Sequence, residues 1–326
     1  MGEDVVIDVR GLDAVYDVDV ESGVYVHAVD DVDLQVMRGE VLGIAGESGC
    51  GKSTLARVLY GFVNPPLRVR RGSVVISADD GKYDVVSLSL DERRARLWWK
   101  VISYIPQNAM NVLNPVERIR DHFIEVLKYH SSKADVEEVA RYLEGIGLKK
   151  EVLNAYPHQL SGGMRQRIVI ALALLLNPRI VIADEPTTAV DVVLQRGILQ
   201  LLVEFQKRLN NTLVVITHDM GVHAMITNRV AVMYAGNVVE VGETSAVFEK
   251  PLHPYTQGLI NSLPRIGDKS TRVGLAGSPP DLRNPPPGCR FHPRCPFAMD
   301  ICRREKPPFI EVEKSRFVAC WLHVKR

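Results

Sequence analysis

Gly46-Glu47-Ser48-Gly49-Cys50-Gly51-Lys52-Ser53 satisfies the pattern G-x-x-x-x-G-K-[ST] at every fixed position. Glycines let such a loop wrap its backbone N–H groups around a phosphate, so Gly46, Ser48, Gly49 and Gly51, with Thr54 just beyond, are candidate nucleotide contacts. Lys52 can reach terminal phosphates, and the Ser53 hydroxyl can hold a magnesium ion that keeps several of its waters. A second glycine-rich turn, Leu160-Ser161-Gly162-Gly163-Met164-Arg165-Gln166-Arg167, leads into a helix-forming run from Arg165 to Leu176. A hydroxyl and free backbone N–H groups at a helix start also make an anion site, so Ser161, Gly162 and Gly163 form a second phosphate-binding end. Carboxylates come from Ile180-Val181-Ile182-Ala183-Asp184-Glu185, an apolar run that ends in two acids before Pro186. Asp184 suits outer contact with magnesium and Glu185 suits polarising an attacking water, and strand alternation would keep the two on different faces. His218 follows the apolar run Leu213 to Thr217. A lone histidine is more often a packing or capping residue, but a position at a strand's carboxyl end also suits catalysis.

These side chains need elements that hold them. Glu40 to Ala45 reads as a buried strand and Thr54 to Tyr60 as a helix running into Gly61, the strand-loop-helix context that the lysine loop requires. From about Leu90 to Gln159 the texture changes, with helical runs at Val116 to Tyr129 and Ala134 to Ile146. Ile119, Phe123, Val126 and Leu127 fall at helical spacing and read as internal packing of a helical lobe. Strands at Arg229 to Tyr234 and Asn237 to Val241 are expected to close the core, and the glycine- and proline-rich stretch from about Ile266 to Gly288 reads as a linker.

At 326 residues the chain can bury a full α/β core and carry an appendage. A formal charge of +1 gives no basic field for nucleic acid. The acidic start Met1-Gly2-Glu3-Asp4 is unlike a secretion signal, and the longest apolar run, Ile168 to Leu176, falls far short of the roughly 20 residues a spanning helix needs. The expectation is a cytosolic chain whose membrane association comes through partners.

In type and order the motifs resemble those of the ATP-binding subunits of ABC transporters. Gly46 to Ser53 is similar to their Walker A loop, Gln107 in Tyr104-Ile105-Pro106-Gln107 to their Q-loop and Ser161 to Met164 to their signature. Ile180 to Glu185 is similar to their Walker B strand, Asp191 in Ala189-Val190-Asp191 to their D-loop and His218 to their switch histidine. The resemblance implies an α/β fold, a P-loop NTPase of the ABC type: a mixed β core with a RecA-like sheet in an ATPase domain at 1–262, with a helical signature lobe at about 90–165. It implies ATP and magnesium as cofactors, with Ser53, Gln107 and Asp184 near the metal and Glu185, His218, Gln107 and Lys52 as the catalytic set. It also implies that two such subunits close head to tail, the lysine loop of one facing the signature of the other. Met164 stands where the signature usually has glutamine, with Gln166 two places on, and Val190 stands where the D-loop usually has leucine. Methionine cannot repeat the glutamine's hydrogen bonds. Tyr16 lies in the stretch where the family stacks an aromatic on adenine, with Tyr25 as the rival.

Gln107 to Pro115, Tyr156-Pro157-His158-Gln159 and Pro251 to Thr256 resemble the dipeptide and oligopeptide branch. That branch implies peptide import through two transmembrane permease subunits, with the solute delivered by an extracellular binding protein and the ATPases on the cytoplasmic face of the cell membrane. Related subunits serve oligosaccharides and nickel. Asp184 to Asp191 resembles the first of the two ATPases in such importers, and the second is either a paralogue or another copy of this chain. The alternative of another class is a soluble ABC ATPase not coupled to transport, which would normally carry a coiled-coil insertion or two cores, neither visible here.

Cys289, Cys295, Cys302 and Cys320 cluster in a C-terminal extension at 263–326, whereas Cys50 sits in the lysine loop and reads as a small filler. In a cytosolic protein such clustering favours metal or cluster ligation over disulfides. The intervals exceed those of structural zinc pairs, and thiolates spread over loops suit an iron-sulfur cluster. Pro286 to Cys295 resembles the C-terminal extension of peptide-transporter ATPases, some of which bind a 4Fe-4S cluster there. The cluster comes first, zinc second and unligated thiols third. Phe291, Phe297, Phe309, Phe317 and Trp321 read as a miniature core that needs the metal to fold.

Overall fold

The computed structural model describes residues 5–19, 23–108, 111–130, 135–187, 192–263 and 274–324. Contacts divide the chain into two units, one formed by Met1–Arg93 with Val214–Arg326 and the other by Arg94–Leu213.

The first unit holds an antiparallel sheet in the order β2-β1-β4-β5, made by β1 (Val5–Asp19), β2 (Val24–Met37), β4 (Leu67–Ala78) and β5 (Gly81–Asp84). A second sheet is built around β3 (Val41–Ala45), which is buried at every position. A continuous apolar run is what a strand covered on both faces requires. β3 runs parallel to β9 (Arg229–Tyr234), and β8 (Thr212–Ile216) neighbours it on the other side. β9 pairs antiparallel with β10 (Asn237–Glu243).

The sheet does not close at β10, contrary to the expectation from sequence. β12 (Arg316–Ala319) pairs antiparallel with β10, and β11 (Phe309–Glu313) with β12, so the C-terminal extension lengthens the sheet of the ATPase core. Glu240 on β10 is fully buried, accepts the N–H groups of Leu252 and His253 at 2.9 Å each, and pairs with Arg316 of β12 at 3.5 Å. The five aromatic residues of the extension do not form a core of their own. Phe291 is 1 % exposed and packs at 5.1 Å from Tyr234 and 5.5 Å from Tyr255, ring centre to ring centre. Burial of such a side chain contributes roughly 1.5–3 kcal/mol. Phe309 and Phe317 stack on each other, Trp321 donates to the Glu305 carbonyl, and Phe297 is exposed. The described part of the expected linker is anchored: the Leu282 carbonyl accepts the N–H of His27 at 2.9 Å.

Helix α1 (Lys52–Tyr60) begins at Lys52 rather than Thr54, which places Lys52 and Ser53 in its first turn. It ends at Gly61, whose φ of 81° needs no Cβ to be accommodated. The short α2 (Leu90–Glu92) is opened by a Ser89–Glu92 capping box. In the second unit, β6 (Ile102–Ile105) and β7 (Ile180–Asp184) are parallel neighbours. Helix α3 (Ile119–His130) starts later than its periodicity predicts, because the Asp121 carboxylate takes the Arg118 N–H at 3.1 Å. Asp135 caps α4 (Val136–Glu144) by accepting the Glu137 N–H. Ile119, Phe123, Val139 and Leu143 are buried, as the helical spacing predicts for Ile119 and Phe123. Two further helices, α5 (Gly162–Leu174) and α6 (Val192–Leu209), complete this unit. The first unit also holds α7 (Met220–Ile226), α8 (Thr244–Glu249), α9 (Pro254–Asn261) and α10 (Asp300–Arg304).

His253 caps α9 by accepting the Tyr255 N–H at 3.0 Å, and burial, followed by the nearby His323, lowers its pKa to about 3. In the unfolded chain the imidazole titrates near a pKa of about 6.5. Only the unfolded state takes up this proton as the solution is acidified, so the stability is fully present above about pH 6.5 and is lost as the pH falls towards about 3. His253→Asn retains a cap acceptor and should flatten that loss in urea unfolding measured at stepped pH. An unchanged pH dependence would reject this assignment.

Candidate functional site

In the first unit, the loop between β3 and α1 is forced by its surroundings to be glycine-rich. Gly46, Gly49 and Gly51 have φ of 148°, 78° and 106°. A Cβ on Gly51 would lie 2.0 Å from the Ala28 carbonyl oxygen, and one on Gly46 would lie 2.2 Å from that of Met233. The Lys52 ammonium is buried and donates to the Gly46 and Glu47 carbonyls at 2.7 and 2.9 Å. Ser48 and Gly49 form the exposed tip. Cys50 fills space beneath it, and burial raises its thiol pKa despite Lys52. Thr54 donates to the Tyr16 hydroxyl at 3.3 Å, which places Tyr16 beside α1. Tyr25 is engaged elsewhere: Arg70 donates to its hydroxyl at 3.1 Å and lies 4.8 Å above its ring. His218 is exposed immediately after β8, and Asp219 accepts the Gly221 N–H at 2.8 Å to start α7.

In the second unit, β7 delivers Asp184 with 2 % exposure, and the Tyr104 hydroxyl at the end of β6 donates to its carboxylate at 2.8 Å. The strand ends there. Glu185 adopts φ of 47°, so a left-handed residue rather than strand alternation separates the two carboxylates. Such a conformation costs of order 1–3 kcal/mol and persists where the surroundings impose it. Gln166, buried at 3 % exposure, donates to the Pro186 carbonyl at 2.6 Å and braces this turn. The sequence singles out Gln166 only as a glutamine displaced from the signature position and says nothing of Tyr104; the bracing roles of both emerge from these contacts. Ser161 is the N-cap of α5 and accepts the Met164 N–H at 3.3 Å. The helix starts at Gly162 rather than Arg165, so both glycines lie in its first turn. Gly163 is buried against Leu194, where a Cβ would come within 3.2 Å. Gln107 is exposed just beyond β6, next to Asn108 with φ of 58°. Asp191, with Ala189 and Val190, lies outside the described residues.

Residues 29–188 match the ABC transporter family, and residues 239–302 match the oligopeptide/dipeptide transporter C-terminal region. Over 325 residues the chain is 43% identical to the dipeptide transport ATP-binding protein DppD of Caldanaerobacter subterraneus subsp. tengcongensis, covering 98% of this chain and 97% of that one. It belongs to the ABC transporter ATP-binding family. The oligopeptide transport ATP-binding protein OppD of Salmonella typhimurium is 42% identical over 307 residues, covering 92% of this chain and 89% of that one. Among solved structures, a dimeric bacterial ABC transporter cassette is similar with a TM-score of 0.62 and 29% identity, over 73% of this chain and 98% of that one. The cbiO1 protein of Clostridium perfringens is similar with a TM-score of 0.61 and 26% identity, over 76% and 92%.

The ABC chain also brings its C-terminal thiols near one another. Burial first, and then the neighbouring thiols, raise Cys289 to about 11 and Cys320 to about 12, and Cys295 is raised as well. The expected metal centre is not formed as such: among the described residues no three His, Cys, Asp or Glu side chains are arranged to hold a metal ion. Cys289, Cys295, Cys302 and Cys320 lie within electrostatic reach of one another.

Tyr104→Phe removes a donor from the buried Asp184 carboxylate. It should cost about 1–3 kcal/mol in chemical denaturation. A variant as stable as the parent would show that the contact does not brace Asp184.

Proposed function

We propose that this chain hydrolyses ATP to power the import of dipeptides or oligopeptides through membrane-spanning partner subunits. The observation that carries the reading is the joining, in one chain, of an ABC transporter match at 29–188 to an oligopeptide/dipeptide transporter match at 239–302. Relatives named for dipeptide and oligopeptide transport along almost their whole length support it. We take 1–262 as the ATPase domain and 263–326 as the extension. Oligosaccharide or nickel import is the alternative within the same role.

In this reading Lys52 exchanges its carbonyl acceptors for phosphate oxygens, while Gly46, Ser48, Gly49, Gly51 and Thr54 line the phosphates and Tyr16 stacks on the base. Glu185 polarises the attacking water, and His218 and Gln107 orient it and the γ-phosphate. Lys52 and the loop N–H groups stabilise charge that builds on the transferring phosphoryl group. Ser53, Asp184 and Gln107 offer hydroxyl, carboxylate and amide oxygens, the hard donors that magnesium takes, and the ion would neutralise phosphate charge there. Ser161, Gly162, Gly163 and Asp191 serve the nucleotide held by a second ATP-binding subunit, a paralogue or another copy.

Among the described residues no helix is long and apolar enough to cross a membrane. We therefore assign membrane attachment, on the cytoplasmic face, to two permease subunits, with an extracellular binding protein acting through them. The four cysteines are assigned to a 4Fe-4S cluster, with zinc as the alternative. What supports this assignment is the resemblance of Pro286 to Cys295 to an extension that holds such a cluster in some family members, with four cysteines, the number a cluster takes. When bound, the cluster would cross-link the loops of the extension.

The reading is tested by purifying the complex without oxygen, identifying co-purifying subunits by mass spectrometry and measuring ATP turnover against added solutes. Two membrane proteins and stimulation by peptides are expected; a chain that travels alone, with turnover indifferent to peptides, would favour a soluble ATPase. Glu185→Gln should bind ATP as the parent does and lose turnover by roughly 10²–10⁴-fold, the range for a general base. Parent-like turnover would remove Glu185 from the mechanism.

A further inference from the structure

Glu47 occupies a position that the phosphate-loop pattern leaves open, yet the fold holds it at three points. Its N–H donates to the Tyr255 hydroxyl at 2.8 Å, and its carbonyl accepts the Lys52 ammonium at 2.9 Å. Its carboxylate receives both arms of Arg294, Nη1 to Oε2 at 2.7 Å and Nη2 to Oε1 at 3.1 Å. Arg294 belongs to the C-terminal extension and immediately precedes Cys295. Its side chain is 5 % exposed, its Nε donates to the Ala276 carbonyl at 2.9 Å, and its guanidinium lies 5.7 Å from the Tyr234 ring centre. The turn His292–Arg294 that carries it is closed by Arg294 N–H to Phe291 carbonyl at 2.9 Å and by His292 N–H to Cys289 carbonyl at 2.9 Å. Cys289 is in turn tied to Cys302 by a backbone bond of 2.8 Å.

A buried guanidinium that grips a carboxylate through two parallel bonds fixes its orientation as well as its distance. The carboxylate fixed here hangs from the same residue whose carbonyl takes the Lys52 ammonium. We propose that Arg294 is a positioning residue of the nucleotide site: acting through Glu47, it sets the loop geometry that presents Lys52 and the backbone N–H groups to phosphate. The cysteine-bearing turn thereby tunes ATP affinity. This inference rests on the assignment of the lysine loop as the ATP site.

The test uses the full chain as parent, Arg294→Gln, Glu47→Gln, the double variant and Arg294→Lys. Binding of a fluorescent ATP analogue with magnesium is titrated, and the Tm of each is recorded. Each single neutralising variant should bind about tenfold more weakly, the scale of one lost charge-assisted contact. The double variant should be no worse than either, because both remove the same pair. Arg294→Lys keeps the charge without the fork and should recover only part of the loss; it carries the test if Arg294→Gln fails to fold. Parent-like affinity in the folded single variants, a lower Tm with unchanged affinity, or losses that add in the double variant would overturn the proposal. A parent that does not bind the analogue would instead overturn the ATP-site assignment, and this inference with it.

Discussion

The nucleotide loop depends on how tightly it is pressed against two carbonyl oxygens, those of Ala28 and Met233. Those oxygens belong to β2 and β9, so the pairing that sets both strands also sets the space left to Gly46 and Gly51. The base of β3 is fixed with equal care: Val41 N–H donates to the Asn228 side chain at 2.7 Å, and Asn228 N–H returns to the Val41 carbonyl at 2.8 Å. A strand anchored at one end and buried throughout can aim the loop at its other end. Any residue larger than glycine would have to move a backbone carbonyl, and the close-packed strand behind it offers no room for that.

The extension is structurally part of the same body. Arg316 and Glu240 form a buried pair across β12 and β10, and Arg316 also reaches the Ala246 and Lys250 carbonyls. Removing one member of such a pair typically costs about 3–5 kcal/mol, since the other charge is left buried alone. Tyr234, Tyr255 and Phe291 meet with ring centres 4.6–5.5 Å apart, joining β9, α9 and the cysteine turn. The Tyr255 hydroxyl then bonds the Glu47 N–H, so one aromatic cluster supports both the extension and the phosphate loop.

Much of this was legible in the chain because it depends on local rules. The lysine loop, the buried strands at Ile180 and Leu213 and the helix after Ser161 each follow from glycine placement, apolar runs or capping. What escaped were pairings distant in sequence. Nothing near Arg316 announces that its strand will join β10, because a short run such as Arg316–Ala319 has no pattern that identifies its partner. The left-handed Glu185 was equally hidden: the apolar run continues to Ala183 and says nothing about where extended backbone stops. Tyr104 looks like an ordinary residue beside a motif and Gln166 like a displaced signature glutamine, and only the contacts with Asp184 and Pro186 reveal what they brace. The aromatic residues of the extension suggested a separate core because composition reveals burial but not the neighbour against which it occurs.

Glu47 and Arg294 are 247 positions apart, and the last strand to pair with β10 follows still later in the chain. On the ribosome the phosphate loop emerges long before the residues that grip it. Its strand and helix can form early from local contacts, whereas the contact with Arg294 must await the synthesis of 247 further residues. The finished geometry of the loop thus depends on residues made much later, and a chain that stops short of Arg294 carries the loop without the arginine that secures it.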